Sequence, residues 1–191
     1  DLNLSKIKQV ATGTRHTIIL KEDGNVFTTK YSLYENYGQN GDGANNFQQQ
    51  TQNGFNLITF FKNNKIINIA AGGFHSAFID EQNILWCCGN NDHGQLGFGH
   101  DNTDKSMLPT QNPYFMKNKT KIIQIVSGCY HNLCIDDNGI CYGFGNNGYG
   151  QCGVNKTTQM ILSPEKISIT PNCKIAKIKA GFNHSYMSSE R

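Results

Sequence analysis

Two glycine-rich stretches have the residue spacing of nucleotide-binding loops. Residues 143–148 read Gly-Phe-Gly-Asn-Asn-Gly, the glycine pattern of a dinucleotide-binding turn, and residues 150–157 differ at one position from a phosphate-binding loop that ends in Lys-Thr. Both kinds of loop hold phosphates with the amide groups at the start of a following helix. Neither stretch is followed by a helical pattern of apolar residues, so we interpret the glycines as structural and predict no cofactor.

Four histidines recur along the chain, each three residues after a glycine. The pairs are Gly13 and His16, Gly72 and His75, Gly128 and His131, and Gly181 and His184. Histidine is a common general base, but equivalent positions of a repeat point in different directions and cannot converge on one substrate. We therefore expect hydrogen-bonded scaffold histidines, predict no catalytic residue and expect that the chain is not an enzyme.

His131 and Cys134 are residue types that bind metal ions, and they lie three positions apart. A zinc site needs a second pair of ligands at a matching spacing, and the seven cysteines include no Cys-x-x-Cys pair. The sequence therefore predicts no metal site. An odd number of cysteines without paired spacing is typical of a reducing compartment, so we expect an intracellular location, in the cytoplasm, the cytoskeleton or cilium, or the nucleus.

The charge of the chain argues against nucleic acid as its partner. The net charge is +3, and lysines cluster at positions 117, 119 and 121 and at positions 174, 177 and 179. Alternate spacing on a strand would place each trio on one solvated face, whereas nucleic-acid-binding proteins have a stronger basic bias. The sequence contains no stretch of 18 apolar residues, so we also expect no membrane partner.

The Gly-x-x-His motif divides the chain into repeats that are 59, 56 and 53 residues apart. A second motif, Gly-Gln-x-Gly, follows the histidine by 19 residues in the second and third repeats and by 22 in the first. We predict β-hairpins at Asp23-Gly24, Gln82-Asn83 and Asn138-Gly139. We predict surface loops around Pro109, around Pro164 and at the glutamine-rich stretch 48–50. About four short strands in 50 to 60 residues are typical of one blade of a β-propeller.

Taken together, the two motifs resemble the repeat of the regulator of chromosome condensation family, and the match extends over residues 6–187. The positions that carry the structural repeat are Gly13, His16, Gly72, His75, Gly128, His131, Gly181, His184, Trp86, Gly89, Gly94, Gln95, Gly97, Gly145, Gly150, Gln151 and Gly153. The resemblance implies an all-β fold from a seven-bladed propeller. We expect one partial propeller domain over residues 1–191, with three four-stranded blades at about 6–64, 65–120 and 121–173 and part of a fourth at 174–191.

The first repeat departs from the family pattern, which expects Trp-Gly-x-Asn where this chain has Phe27-Thr-Thr-Lys30. We therefore expect an irregular outer hairpin in this blade. A three-blade arc would also expose apolar faces at its two ends. We expect the ring to be completed by further sequence of the same polypeptide or by a partner chain.

A protein-interaction scaffold is the function that the sequence favours, because propeller loops differ between blades while the strands stay constant. The candidate partner contacts are loop aromatics, which anchor many interfaces: Tyr31, Tyr34, Tyr37, Phe98, Tyr114 and Phe115. The alternative for each ring is that it packs beneath its own loop. The resemblance also allows guanine nucleotide exchange on a small GTPase, or association with chromatin.

Overall fold

Four antiparallel sheets make up the fold in the computed structural model, which describes residues 6–29, 36–43, 54–100, 104–169 and 174–189. Sheet 1 contains β1 (Ile7–Thr12), β2 (Thr17–Lys21), β3 (Val26–Thr29) and β4 (Phe55–Leu57). Sheet 2 contains β5 (Ile66–Ala71), β6 (His75–Asp80), β7 (Leu85–Gly89) and β8 (Ser106–Gln111). Sheet 3 contains β9 (Ile122–Ser127), β10 (His131–Asp136), β11 (Cys141–Asn146) and β12 (Met160–Lys166), and sheet 4 contains β13 (Ile175–Ala180) and β14 (Ser185–Ser189).

Each sheet is a meander in which consecutive strands are neighbours. The prediction of three four-stranded blades and part of a fourth is therefore confirmed. Because the strands alternate in direction, the loops after the first and third strands of each sheet leave at one end, which we call the motif rim. The loops after the second strands and the links between sheets leave at the other end, which we call the hairpin rim.

The three hairpins that the turn sequences predict are present. Gly24, Asn83 and Gly139 adopt φ values of 88°, 63° and 78°, the left-handed conformation that allows a tight reversal between the second and third strands. In sheet 1, β3 pairs with a β4 of three residues. The outer hairpin of the first blade is therefore formed, although it is short. Residues 30–35, which follow β3, and the glutamine-rich stretch at 48–50 lie outside the described residues.

The prediction that Pro109 and Pro164 lie in surface loops is wrong. Pro109 lies in β8 and Pro164 in β12, and both are buried. These are the fourth strands of their sheets, and each pairs with a strand on one side only. An edge strand tolerates proline because the missing N–H falls where the ladder needs no donor.

A short helix, α1 (Pro113–Lys117), links sheet 2 to sheet 3. The Asn112 side chain accepts hydrogen bonds from the backbone N–H groups of Tyr114 and Phe115, and Pro113 occupies the first helical position. The first lysine trio therefore begins at Lys117, the last residue of the helix, and continues through the following turn, and its prediction as one strand face is wrong. In the second trio, Lys177 and Lys179 are exposed on β13, as the alternate spacing predicts.

Sheet 2 is buried on both faces between its neighbours. Phe78 and Trp86 pack in one apolar cluster with residues of sheet 1, whereas Ala77, Ile79 and Leu85 pack in a second cluster with residues of sheets 3 and 4. Alternate side chains of one strand thus serve two interfaces, as radial stacking of blades requires. Within the described ranges, no helix has the length and apolarity needed to cross a bilayer.

The glycine of each Gly-x-x-His motif makes room for the histidine ring of its own motif. A Cβ atom added at Gly72 would lie 2.0 Å from His75 Cε1 and 2.7 Å from the carbonyl oxygen of Gly128 in the next sheet. The same construction at Gly13 and Gly128 gives 2.4 and 2.1 Å to their own histidine rings. The repeat needs glycine at this position because no side chain fits between ring and neighbouring backbone.

We predict that Gly72→Ala lowers the free energy of unfolding by about 2–3 kcal/mol, because the added methyl group overlaps buried atoms that cannot move away cheaply. Denaturation in urea measures the change. Gly148→Ala is the matched control, since its new methyl group would meet the end of the Gln159 side chain at an exposed loop. Equal stability of the two variants would contradict the packing role of the motif glycine.

Candidate interaction surface

The repeated histidine connects each sheet to the next one. For His16, His75 and His131, the first three of the series, the Nε2 atom contacts the side chain of the residue that directly follows the next histidine. The contacts join His16 to Ser76 Oγ at 2.7 Å, His75 to Asn132 Oδ1 at 3.1 Å, and His131 to Ser185 Oγ at 2.8 Å. One hydrogen bond therefore recurs across three sheet interfaces.

Each residue that accepts from a histidine also donates a hydrogen bond. Its acceptor is the backbone carbonyl of the glutamine in the Gly-Gln-x-Gly motif of the preceding sheet. Ser76 Oγ donates to the carbonyl oxygen of Gln39 at 2.6 Å, Asn132 Nδ2 to that of Gln95 at 2.5 Å, and Ser185 Oγ to that of Gln151 at 2.7 Å. Since a hydroxyl group has one proton, the serine oxygens accept from histidine, and each Nε2 carries the hydrogen. The loop with the histidine motif and the loop with the glutamine motif of one sheet therefore both form hydrogen bonds with the same residue of the next sheet.

The glutamine side chain fixes the backbone of its own loop. Its Oε1 atom accepts a hydrogen bond of 2.9 Å from the N–H of the residue two positions earlier, which is Tyr37, His93 or Tyr149. The glycine between the two residues has a positive φ in all three loops. The backbone of an aromatic residue is therefore held in the same way on the motif rim in each of the three blades.

Two of these rings, those of Tyr37 and His93, meet a second set of aromatic residues on neighbouring sheets. Tyr37 packs edge-on against Phe74 with ring centroids 5.5 Å apart, and His93 lies 4.8 Å from Tyr130. Phe74 and Tyr130, which directly precede the repeated histidines, stack at 6.2 Å. We name Tyr37, Phe74, His93, Tyr130 and Tyr149 the aromatic row. Its member Tyr149 is 80% exposed.

Burial keeps the scaffold histidines neutral. Desolvation, with a smaller effect from neighbouring histidines, lowers the pKa of His16 to about 3 and that of His131 to about 4. Desolvation also lowers the pKa of His75 to about 4. In the part of the chain that is described, the Nδ1 atoms of all three lack a hydrogen-bond partner. These rings hold blades together and face no open site.

No metal site is visible among the described residues, where no three His, Cys, Asp or Glu side chains are grouped to hold an ion. The six described cysteines are free and buried. Burial raises the pKa of Cys141 and of Cys152 to about 12, so both thiols stay protonated.

The structure separates the sequence-predicted contact residues. Tyr37 lies in the aromatic row, and the half-buried Phe98 packs against the core shared by sheets 2, 3 and 4. Tyr31 and Tyr34 lie outside the described residues. Phe115 does not meet the expectation of an exposed aromatic, because it is only 3% exposed.

The rings of Tyr114 and Phe115 pack against the third strand of the next sheet. Their rings lie 6.2 and 5.1 Å from the ring of Tyr142 on β11. Phe60 and Phe61, in the link between sheets 1 and 2, make the same contacts with Trp86 on β7 at 5.6 and 5.9 Å. The signal in the sequence was a tandem aromatic pair 25 to 28 residues before Trp86 and before Tyr142.

An aspartate accepts a hydrogen bond from the polar group of each of these packed rings, the Trp86 indole and the Tyr142 phenol. Trp86 Nε1 donates to Asp80 Oδ2 at 2.8 Å, and the hydroxyl of Tyr142 donates to Asp136 Oδ2 at 3.1 Å. The other oxygen of each aspartate accepts backbone amides of the adjacent hairpin. In sheet 1, a lysine and a phenylalanine stand at the corresponding positions 21 and 27, so acceptor and donor are absent together.

Sequence reasoning missed four members of the aromatic row: Phe74, His93, Tyr130 and Tyr149. Each was marked by its place, since it directly precedes either a repeated histidine or a Gly-Gln pair. The contacts between them join separate repeats and could not be inferred from local spacing.

Two sequence profiles described as the regulator of chromosome condensation repeat match the chain. One matches residues 82–135 and 138–187, and the other matches residues 7–29, 66–95 and 122–151. Among curated proteins, the chain is 26% identical to the ultraviolet-B receptor UVR8 of Arabidopsis thaliana, over 97% of this chain and 40% of that protein. It is 25% identical to the probable E3 ubiquitin-protein ligase HERC6 of Homo sapiens, over 95% of this chain and 17% of that protein.

Solved structures share the fold. The crystal structure of Prp20p from Saccharomyces cerevisiae, described with its binding properties to Gsp1p and histones, matches with a TM-score of 0.80 and 22% identity over 97% of this chain and 44% of Prp20p. Human WBSCR16 matches with a TM-score of 0.55 and 15% identity, over 96% of this chain and 58% of that one. The chain thus spans less than half the length of UVR8, HERC6 and Prp20p.

We predict that acid destabilises the fold through the three buried histidines. Their folded pKa values lie below the ordinary value of 6.5, so between about pH 7 and pH 4 the unfolded state binds protons that the folded state does not. Stability present at neutral pH is therefore lost as the pH falls through this window. Each histidine contributes on the order of 2 kcal/mol to the loss at pH 5, which urea unfolding at several pH values measures.

His75→Gln is the matched variant, because its amide nitrogen can donate to Asn132 as the imidazole does but does not titrate. The stability lost between pH 7 and pH 5 should be smaller than in the unmodified chain by on the order of 2 kcal/mol. The same loss in both chains would show that His75 does not cause the acid sensitivity.

Proposed function

We propose that this chain, which belongs to the regulator of chromosome condensation repeat family, is a protein-binding segment of a β-propeller whose partner contacts the aromatic row. The observation that carries the proposal is this row of aromatic residues on one rim, in which glutamine side chains hold the backbone of Tyr37, His93 and Tyr149. Aromatic rings anchor interfaces because they bury a large apolar area with few rotatable bonds. The proposed role is that of an interaction scaffold without catalysis of its own.

The division of labour within each motif loop supports this role. The glutamine and the glycines of the loop set its backbone conformation. The residues between them differ: they are Asp92 and His93 in sheet 2, and Gly148 and Tyr149 in sheet 3. A partner that crosses sheets 2 and 3 would therefore meet different side chains in the two loops. The rim can encode specificity without a change in the core.

Further blades complete the ring in our proposal, in the same polypeptide or in a partner chain. Phe182 and Tyr186 of the fourth sheet are 65% and 62% exposed, and a following strand or blade would cover such rings. We also retain the proposal of an intracellular location, which the free thiols of the six described cysteines support.

We predict that Tyr149→Ser reduces partner binding about five-fold or more, because an exposed aromatic anchor is lost. The melting temperature should change by no more than about 2 °C, since the ring is exposed. Quantitative mass spectrometry of proteins crosslinked to the chain in extracts identifies the partners, and titration with each purified partner gives the affinity. Leu108→Gln is the control, because Leu108 is an exposed apolar residue of the edge strand β8 and lies outside the aromatic row. Equal binding by the unmodified chain and Tyr149→Ser would rule out the aromatic row.

Guanine nucleotide exchange on a small GTPase is the second candidate function. The observation that favours it is the fold shared with Prp20p, whose structure was described together with its binding to Gsp1p. Small GTPases loaded with fluorescent GDP should then release the nucleotide faster when the chain is added, and Tyr149→Ser should slow that release. Release at the intrinsic rate from every GTPase tested would exclude exchange activity of this chain.

A further inference from the structure

Two clefts lie side by side on the hairpin rim, at the boundary between sheets 2 and 3. The first has a volume of 320 Å³ and opens between the hairpin that precedes β7 and helix α1. The second, of 420 Å³, opens between the same link and the hairpin after β10. Lys119, Thr120 and Lys121 line both clefts and form the wall between them.

The first cleft is apolar at its base. Leu85 and Phe115, both buried, and the partly buried Ile84 line it, and Met116 stands at its edge with 53% of its surface exposed. Asn112, which caps α1, is buried in the wall. The cleft therefore accepts an apolar side chain and gives it few polar groups to satisfy.

The surroundings of the clefts are basic. Lys119 and Lys121 line both, Lys166 lines the second, and Lys117 is exposed at the end of α1. Among the described residues, none of these lysines takes part in an ion pair. Asp137 is the exposed carboxylate in the lining, since that of Asp136 is buried and holds the hairpin amides and Tyr142. Positive charge thus exceeds negative charge at the mouth.

Lys119 occupies a strained backbone position between the clefts. It follows the end of α1 with a φ of 52°, the left-handed conformation that glycine or asparagine usually takes at a helix end. A residue with a Cβ atom pays a conformational cost there. Strain of this kind is concentrated at functional positions, and here it places a cation on the wall shared by the clefts.

We propose that the two clefts form one groove for an acidic segment of a partner protein. The segment inserts an apolar side chain against Ile84, Phe115 and Met116, and its carboxylates pair with Lys119, Lys121 and Lys166. Charge complementarity selects this occupant, because a basic or uncharged segment would leave the lysines unpaired. The groove lies on the opposite rim from the aromatic row and does not depend on the function proposed for that row.

The test uses a fluorescein-labelled synthetic peptide in which a central leucine is flanked on each side by three glutamates. We expect this peptide to bind the chain with a dissociation constant of about 100 µM or tighter in 50 mM salt, and more weakly in 300 mM salt because the pairs are exposed. Two control peptides replace the leucine with serine or the glutamates with lysines, and both should bind at least about five-fold more weakly. Equal affinity for all three peptides, or no binding at 1 mM, would overturn the proposal.

The variant Lys119→Gly with Lys121→Gln removes the shared charges without harm to the fold. Glycine suits the left-handed backbone at position 119, so thermal stability should be unchanged or higher. Binding of the leucine-glutamate peptide should fall about five-fold, and Met116→Gln should weaken it without altering its salt dependence. Unchanged affinity in both variants would overturn the assignment of the groove.

The variant Tyr149→Ser separates this inference from the proposed function. It should bind the leucine-glutamate peptide as the unmodified chain does, because the aromatic row is on the other rim. A loss of peptide binding in Tyr149→Ser together with retention in Lys119→Gly/Lys121→Gln would place the acidic segment on the aromatic row and overturn the groove.

Discussion

The fold depends on one hydrogen-bonded connection that is repeated at each interface between sheets. A neutral histidine donates to a serine or asparagine of the next sheet, and that residue donates back to a glutamine carbonyl in the first. Every member is buried or partly buried, so each would cost free energy if its partner were absent. The connection therefore fixes the rotation of one blade against the next, which apolar packing alone would leave adjustable.

A second connection acts at the interface between sheets 1 and 2 and at the interface between sheets 2 and 3, and it explains how the first repeat departs from the pattern. Where Asp80 holds Trp86, the tandem rings at 60 and 61 from the previous link pack on the indole. Asp136 and Tyr142 repeat the arrangement. Sheet 1 has Lys21 and a phenylalanine instead, so this position has no carboxylate that would need a ring donor. The first repeat therefore lacks both partners of this hydrogen bond, the aspartate and the ring donor.

The sequence predicted the blades and the hairpins, because turn chemistry and a two-residue period are local properties. It did not predict the edge strands around Pro109 and Pro164. Proline in a sequence indicates a loop unless the strand is known to pair with another strand on one side only. From the sequence, Tyr114 and Phe115 are candidate partner contacts in a loop, with packing beneath their own loop as the alternative. Their inward direction follows from the Asn112 cap, which starts a helix and turns both rings toward the next sheet.

The two rims differ in how far function and stability can be separated. On the motif rim, hydrogen bonds hold the backbone at Tyr149 while its ring makes no buried contact, so the side chain is free to serve recognition. On the hairpin rim, the link between sheets 2 and 3 packs Phe115 against Tyr142 and also forms the wall of the clefts. Changes to that link alter packing and surface together. Lys119 is the exception, because its side chain is exposed and its backbone would be relieved by glycine.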